Sequence, residues 1–169
     1  MAFYTTSGGS VAEKMRIDSS GNVGIGATPK AYNSDYKAID INNSAGVMGY
    51  TGNNGAWLME NLYYGTDNNW KHKNSDFSSL IEMYDGVFNF YNTASGTAGA
   101  TATLQTRLKI DQSGNVGIGT SSPARKVQIQ DTSSTVYLSL VGPTNAGAGI
   151  MFGDSDDETV GRVTYDNSV

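Results

Sequence analysis

Apolar and polar residues alternate in short runs along this chain, and the first clear run is Met15-Arg-Ile17, answered across a polar break by Val23-Gly-Ile25. A period of two puts every second side chain on one face, as in a half-buried strand. The break, Ser19-Ser20-Gly21-Asn22, has glycine in third place, which suits a type I turn closed by a left-handed residue. The pattern predicts a short β-hairpin followed by Pro29. The same hairpin returns 93 residues later as Leu108-Lys-Ile-Asp-Gln-Ser-Gly114-Asn-Val-Gly-Ile-Gly-Thr-Ser-Ser-Pro123, and such self-similarity governs how the rest is read. Residues 37–41 alternate like a further strand, and 126–130 are their counterpart in the second cycle.

Between the two cycles lies a long insertion in which ten of the seventeen Phe, Trp and Tyr residues fall between Tyr50 and Tyr91. Turn signals recur there every eight to twelve residues, at Gly52-Asn-Asn-Gly55, 65–69, 74–76 and Asp85-Gly86, with alternating runs at 81–84 and 87–91. That spacing predicts a small β-sandwich or meander lobe. No run is long enough for a helix; residues 79–84 come nearest and are too short. The chain divides on this reading into a first hairpin repeat (1–35), an aromatic-rich β lobe (36–104), a second hairpin repeat (105–130) and a partial third repeat (131–169). The opening Phe3-Tyr4 aligns with Phe90-Tyr91, so the chain reads as starting inside one cycle and stopping inside another, either an excised fragment or a small complete protein.

The glycines demand a reason. An isolated hairpin is marginal in water, and here its second strand carries Gly24 and Gly26, repeated as Gly117 and Gly119, which bring no side chain to a core. Glycine within a strand marks close approach of another backbone, and the expectation is that this backbone belongs to an identical chain around a symmetry axis. Gly21 and Gly114 are the turn positions. Regular Val and Ile between the glycines argue against a flexible linker.

The string IDSSGNVGIG, followed by Thr or Ser and then Pro, resembles the repeat of tail-fibre and related virion proteins of tailed bacteriophages, often found upstream of a self-cleaving chaperone domain. The matching residues are 15–29 and 108–123, with a weaker third match at Ile150-Met-Phe-Gly-Asp-Ser-Asp-Asp-Glu-Thr-Val-Gly-Arg-Val-Thr-Tyr-Asp166. The resemblance implies an all-β, elongated homotrimeric fibre located in the virion, with other virion proteins as partners. It says nothing of the ligand.

Composition narrows the chemistry. The formal net charge of −5, with no Lys or Arg run longer than a pair, disfavours nucleic acid, whose binding rests on cations neutralising phosphates. Absence of cysteine removes disulfides, thiol catalysis and Cys-based metal sites. There is no secretory signal pattern and no apolar stretch near 18 residues, so no membrane insertion is expected. His72 is the only histidine and no G-x-S-x-G elbow accompanies it, which points to a satisfied or solvated surface histidine rather than a triad. Gly21, Gly24 and Gly26 have the wrong spacing for a dinucleotide fingerprint. Asp154, Asp156, Asp157 and Glu158 lack the spacing of an EF-hand and read as a solvated turn, so no metal and no cofactor is expected.

Two further functions remain to be weighed. Glu60, Asp67, Asp76, Glu82 and Asp85 could in principle supply the carboxylate pair of a polysaccharide depolymerase, but repeated hairpins make architecture, and the chain is read as no enzyme. Binding is the more economical reading: aromatic faces stack on sugars while Asn and Asp hydrogen-bond to hydroxyls, and Trp57, Tyr63, Tyr64 and Trp70 lie close to Asn61, Asp67, Asn68 and Asn69. The competing account of these aromatics is that they are core. The functional expectation is thus a tail-fibre or spike segment supporting host-surface attachment through a glycan or receptor, with a capsid or baseplate decoration protein as the alternative.

Overall fold

A computed structural model of the chain describes residues 1–52, 54–143, 148–152, 156 and 161–165. The described residues form strands and no helix. In chain order the strands are β1 (Ala2–Ser7), β2 (Ser10–Ile17), β3 (Val23–Ile25), β4 (Tyr36–Ile41), β5 (Ala45–Tyr50), β6 (Gly55–Glu60), β7 (Leu62–Tyr64) and β8 (Trp70–His72). They continue as β9 (Ser79–Tyr84), β10 (Val87–Asn92), β11 (Gln105–Ile110), β12 (Val116–Ile118), β13 (Val127–Ile129), β14 (Ala148–Phe152) and β15 (Gly161–Tyr165). Two compact units divide at Thr132. The second contains the antiparallel pair β14–β15; residues 136–141 within it carry no strand. Most of the acidic run 154–158 lies outside the described residues.

One mixed sheet of 11 strands runs through the first unit in the order β1-β2-β3-β4-β5-β6-β9-β10-β11-β12-β13, and β7–β8 form a separate pair. Neighbours are antiparallel except β3–β4 and β12–β13, which are parallel. The aromatic insertion therefore folds as a meander inside the sheet that holds both hairpins, with no second sandwich layer of equal extent. A one-residue register shift at Phe3/Tyr4 in β1–β2 recurs at Phe90/Tyr91 in β10–β11. Strands β1–β4 and β10–β13 are thus two versions of one four-strand unit.

Each hairpin turn is closed by an aspartate that the pattern of apolar residues did not single out. Asp18 Oδ1 accepts the backbone N–H groups of Ser20 and Asn22 at 2.9 and 2.8 Å, and Asn22 Nδ2 donates to Asp18 Oδ2. Asp111 does the same with Ser113 and Asn115. These are Asx turns, in which a carboxylate imitates the backbone. The N–H of Asn115 holds the Asp111 carboxyl below its ordinary range. Gly21 and Gly114 sit at φ +83° and +71°, the left-handed conformation that the turn requires and that only glycine adopts without cost.

The backbone that crowds the strand glycines belongs to the chain itself. A Cβ on Gly24 would overlap the carbonyl oxygen of Ala27 and meet Pro29 Cδ at 2.8 Å, and one on Gly117 would lie 2.6 Å from the carbonyl oxygen of Thr120. After each hairpin the chain folds back so that the stretch from the last glycine to the proline, residues 26–29 and 119–123, caps its own strand. Gly26 and Gly119 have φ of +68° and +74°, and a Cβ there would press on Asn42 and on the Gln130 carbonyl. Tight return of the crossover to the parallel strand explains all four glycines, so the identical neighbour invoked from the sequence is not what they accommodate.

The core lies on one face of the middle strands. Ala38, Met48, Trp57, Met59 and Leu80 point to it, joined by Leu62, Tyr32 and Ala102 from the segments laid over them. Register fixes this: Ala38 pairs with Met48, Met48 with Trp57, and Met59 with Leu80, and directly paired residues share a face.

Candidate functional site

Aromatic residues converge on the core face where the β7–β8 hairpin lies over it. Trp70 meets Tyr64 at 5.3 Å between ring centroids, Tyr64 meets Tyr36 at 5.1 Å, Tyr36 meets Trp57 at 5.4 Å, and Trp57 meets Tyr84 at 6.1 Å. Most of these are edge-to-face, the arrangement favoured by ring quadrupoles. Three of the four aromatics singled out in the sequence, Trp57, Tyr64 and Trp70, belong to this ladder. Tyr63 turns instead to Tyr32, with centroids 6.2 Å apart.

Trp57 is not free to meet a ligand. It is 4% exposed, and its indole N–H donates to Glu82 Oε1 at 2.9 Å. Glu82 also accepts from Asn89 Nδ2 and the Tyr91 hydroxyl through Oε2; burial, and then this bond, raise the Tyr91 hydroxyl above its ordinary pKa. Tyr63, Tyr64 and Trp70 are half-buried and pack on the core. The aromatic cluster is therefore chiefly a packing device.

Beneath the β7–β8 hairpin lies a charge pair that no sequence pattern revealed. Lys73 Nζ donates to Asp40 Oδ1 at 2.5 Å and to the Ala45 carbonyl at 2.9 Å, and the side chains are 0% and 2% exposed. Asp40 Oδ1 also accepts the Tyr32 hydroxyl at 2.6 Å, and Oδ2 accepts the Lys30 N–H. Gly46 leaves the room: a Cβ there would lie 3.1 Å from Lys73 Nζ and 3.2 Å from Asp40 Oδ1. Burial pushes the Lys73 ammonium below its ordinary value, against the upward pull of Asp40. Burial and the neighbouring Asp40 charge raise Tyr32 far above the ordinary tyrosine range. With every polar atom of the carboxylate and ammonium engaged inside the chain, this is a structural lock and leaves no group to attack a substrate.

His72 is buried, at 2% exposed, so the surface placement expected from sequence gives way to an interior one. Its Nδ1 lies 2.8 Å from Ser78 Oγ, and Ser78 Oγ donates to the Asn61 carbonyl at 3.1 Å. Since the hydroxyl proton is committed to that carbonyl, Nδ1–H donates to the serine. A serine activated for attack needs the reverse polarity. Glu60 and Glu82 lie on opposite faces of the sheet, because Glu60 pairs with Ser79 and Glu82 with Trp57 on strands of alternating orientation. Asp67 is paired with Lys71 at 2.8 Å. Among the described residues no group of three or more His, Cys, Asp and Glu side chains is placed to hold a metal.

A cleft of about 490 Å³ opens to solvent beside the first hairpin turn, lined by Tyr32, Asn33, Ser34, Tyr36, Lys37 and Thr66 among others. Its walls come from the crossover before β4 and from the loop between β7 and β8. Two tyrosines, hydroxyls, two amides and one ammonium make a lining suited to a neutral or anionic polyhydroxyl ligand. The sequence signal for it was weak, because these residues come from a run without periodicity. No family model and no curated protein sequence matches the chain.

Proposed function

We propose that the chain is a structural segment of a tailed-phage virion, a homotrimeric tail-fibre or spike segment that supports attachment to the host surface and catalyses nothing. The observation that carries this reading is the duplicated four-strand unit: β1–β4 and β10–β13 share their Asx turns, their parallel return and their register shift. Duplication of a sheet-building block adds length to an architecture. Native light scattering tests it. A trimer has a mass of about 54 kDa from chains of 17.9 kDa each; a mass of one chain at micromolar concentration would overturn the fibre reading.

Attachment through a glycan is placed, on this proposal, at the cleft of Tyr36, Lys37 and Thr66 rather than at Trp57. Lys37→Ala combined with Thr66→Ala should reduce binding to an array of bacterial surface polysaccharides by about tenfold, as loss of one or two polar contacts implies. Undiminished binding by that variant would remove the cleft from the proposal.

A further inference from the structure

The face of the sheet opposite the core carries a continuous apolar row. Following paired residues from strand to strand gives Ile17, Val23, Ile39, Val47, Leu58, Ile81, Phe90, Leu108, Ile118 and Ile129. Ten strands contribute one residue each, and none is polar. Within this unit the row is bare: Val47 is 45%, Leu58 51% and Phe90 38% exposed. A groove of about 450 Å³ opens beside Leu58, Ile81 and Phe90. The segments that cover the other face of the middle strands, β7–β8 and the stretch around Ala102, all lie on the core side.

The size of this face decides what it is for. Ten strands about 4.8 Å apart make a row about 43 Å long, and strands of three to six residues are about 10 to 20 Å wide, so the face offers roughly 430 to 860 Å². The largest apolar patch of an ordinary monomer is about 300 to 600 Å², and a stable interface takes about 800 Å² from each partner. The face also has a period. The pairs Met15–Ile25 and Ile17–Val23 with Ile39 and Ile41 are matched at the far end by Leu108–Ile118 and Ile110–Val116 with Val127 and Ile129. At the same strands the opposite face reads Arg16, Gly24, Asp40 and Lys109, Gly117, Gln128. An occupant must therefore be apolar along the whole row and carry the same motif twice at the same separation. A second copy of this chain meets both conditions without further design.

The geometry points to this apolar row as the surface through which copies of the chain associate, with the rows of neighbouring copies packed on one another. This inference rests on the oligomeric fibre reading above and adds to it the surface that does the work. The strand glycines, being crowded by their own chain, take no part in it.

Leu58→Glu tests it. The side chain lies on the bare face, so the isolated fold accepts the charge, whereas burial between copies makes it unfavourable enough to weaken association by about 100-fold or more. The expected result is a multi-chain mass for the native protein that falls to one chain in Leu58→Glu with strand circular dichroism retained, while Thr51→Glu, on an exposed turn, keeps the native mass. Since the chain has no cysteine, Val47→Cys gives a second readout that does not depend on the folding of Leu58→Glu. In the native particle its alkylation by iodoacetamide should be at least about tenfold slower than that of Thr51→Cys, because covered thiols react only when exposed. A multi-chain mass with Val47→Cys alkylated as fast as Thr51→Cys would overturn the row as the interface and leave the oligomeric reading standing. A native mass of one chain would overturn both.

Discussion

Asp40→Ala should lower the unfolding free energy by about 3 to 5 kcal/mol in urea titration, the loss that follows when one partner of a buried ion pair is removed. The reason lies in what is left behind. Lys73 keeps one acceptor, the Ala45 carbonyl, and its fully buried ammonium loses its counter-charge. The Tyr32 hydroxyl and the Lys30 N–H lose their acceptor at the same time, and a buried donor without a partner costs about 1 to 3 kcal/mol more. Removing both charges, in Asp40→Ala with Lys73→Met, should recover a large part of the loss, because an apolar pair of similar volume is tolerated where a lone charge is not. A double variant whose loss equals the sum of the two single ones would show that the pair is not coupled.

Gly24→Val should also be strongly damaging, for a steric reason. Its Cβ would lie far inside van der Waals contact of the Ala27 carbonyl oxygen and press on Pro29, so the backbone of the return must move, and overpacking of this kind costs about 1 to 3 kcal/mol or more. Gly117→Val meets Thr120 in the same way, somewhat less closely. Gly49, also in a strand, has nothing within 4 Å of the position a Cβ would take; Gly49→Ala should stay within about 1 kcal/mol of the native protein. Because the crowding is within the chain, the loss at Gly24 should be independent of protein concentration. A loss that grows on dilution would return the glycine to a contact between copies.

Much of the local structure was legible in the sequence because it is set by local rules. Alternation placed β2–β4 and β11–β13, and the Ser-Gly-Asn turns announced their left-handed glycines. The Asx role of Asp18 and Asp111 could also have been read, since the same aspartate precedes both turns, but polar residues in a turn attract no notice when apolar periodicity is the signal. Asp40 and Lys73 were beyond reach. Each sits in an alternating or irregular run where a charge normally means solvent, and only the pairing of β4 with β5 and the fold-over of the β7–β8 hairpin brings them together across 33 residues. Trp57 illustrates the same limit: an aromatic beside amides looks alike whether it stacks on a sugar or on Tyr36. Alternation also does not say which face is covered, and here the row of Ile, Val, Leu and Phe lies away from the single-chain core.

The order of strands in the sheet follows the order in the chain from β1 to β6 and again from β9 to β13. Nearly every pairing therefore joins segments close in sequence, so little loop-closure entropy opposes it, and a sheet of this kind should assemble quickly for an all-β protein. A chain emerging from the ribosome can add each strand to a template already in place. On the association proposed above, meeting other copies is the slow, concentration-dependent step, and the interval before it is when the bare row is most exposed to aggregation.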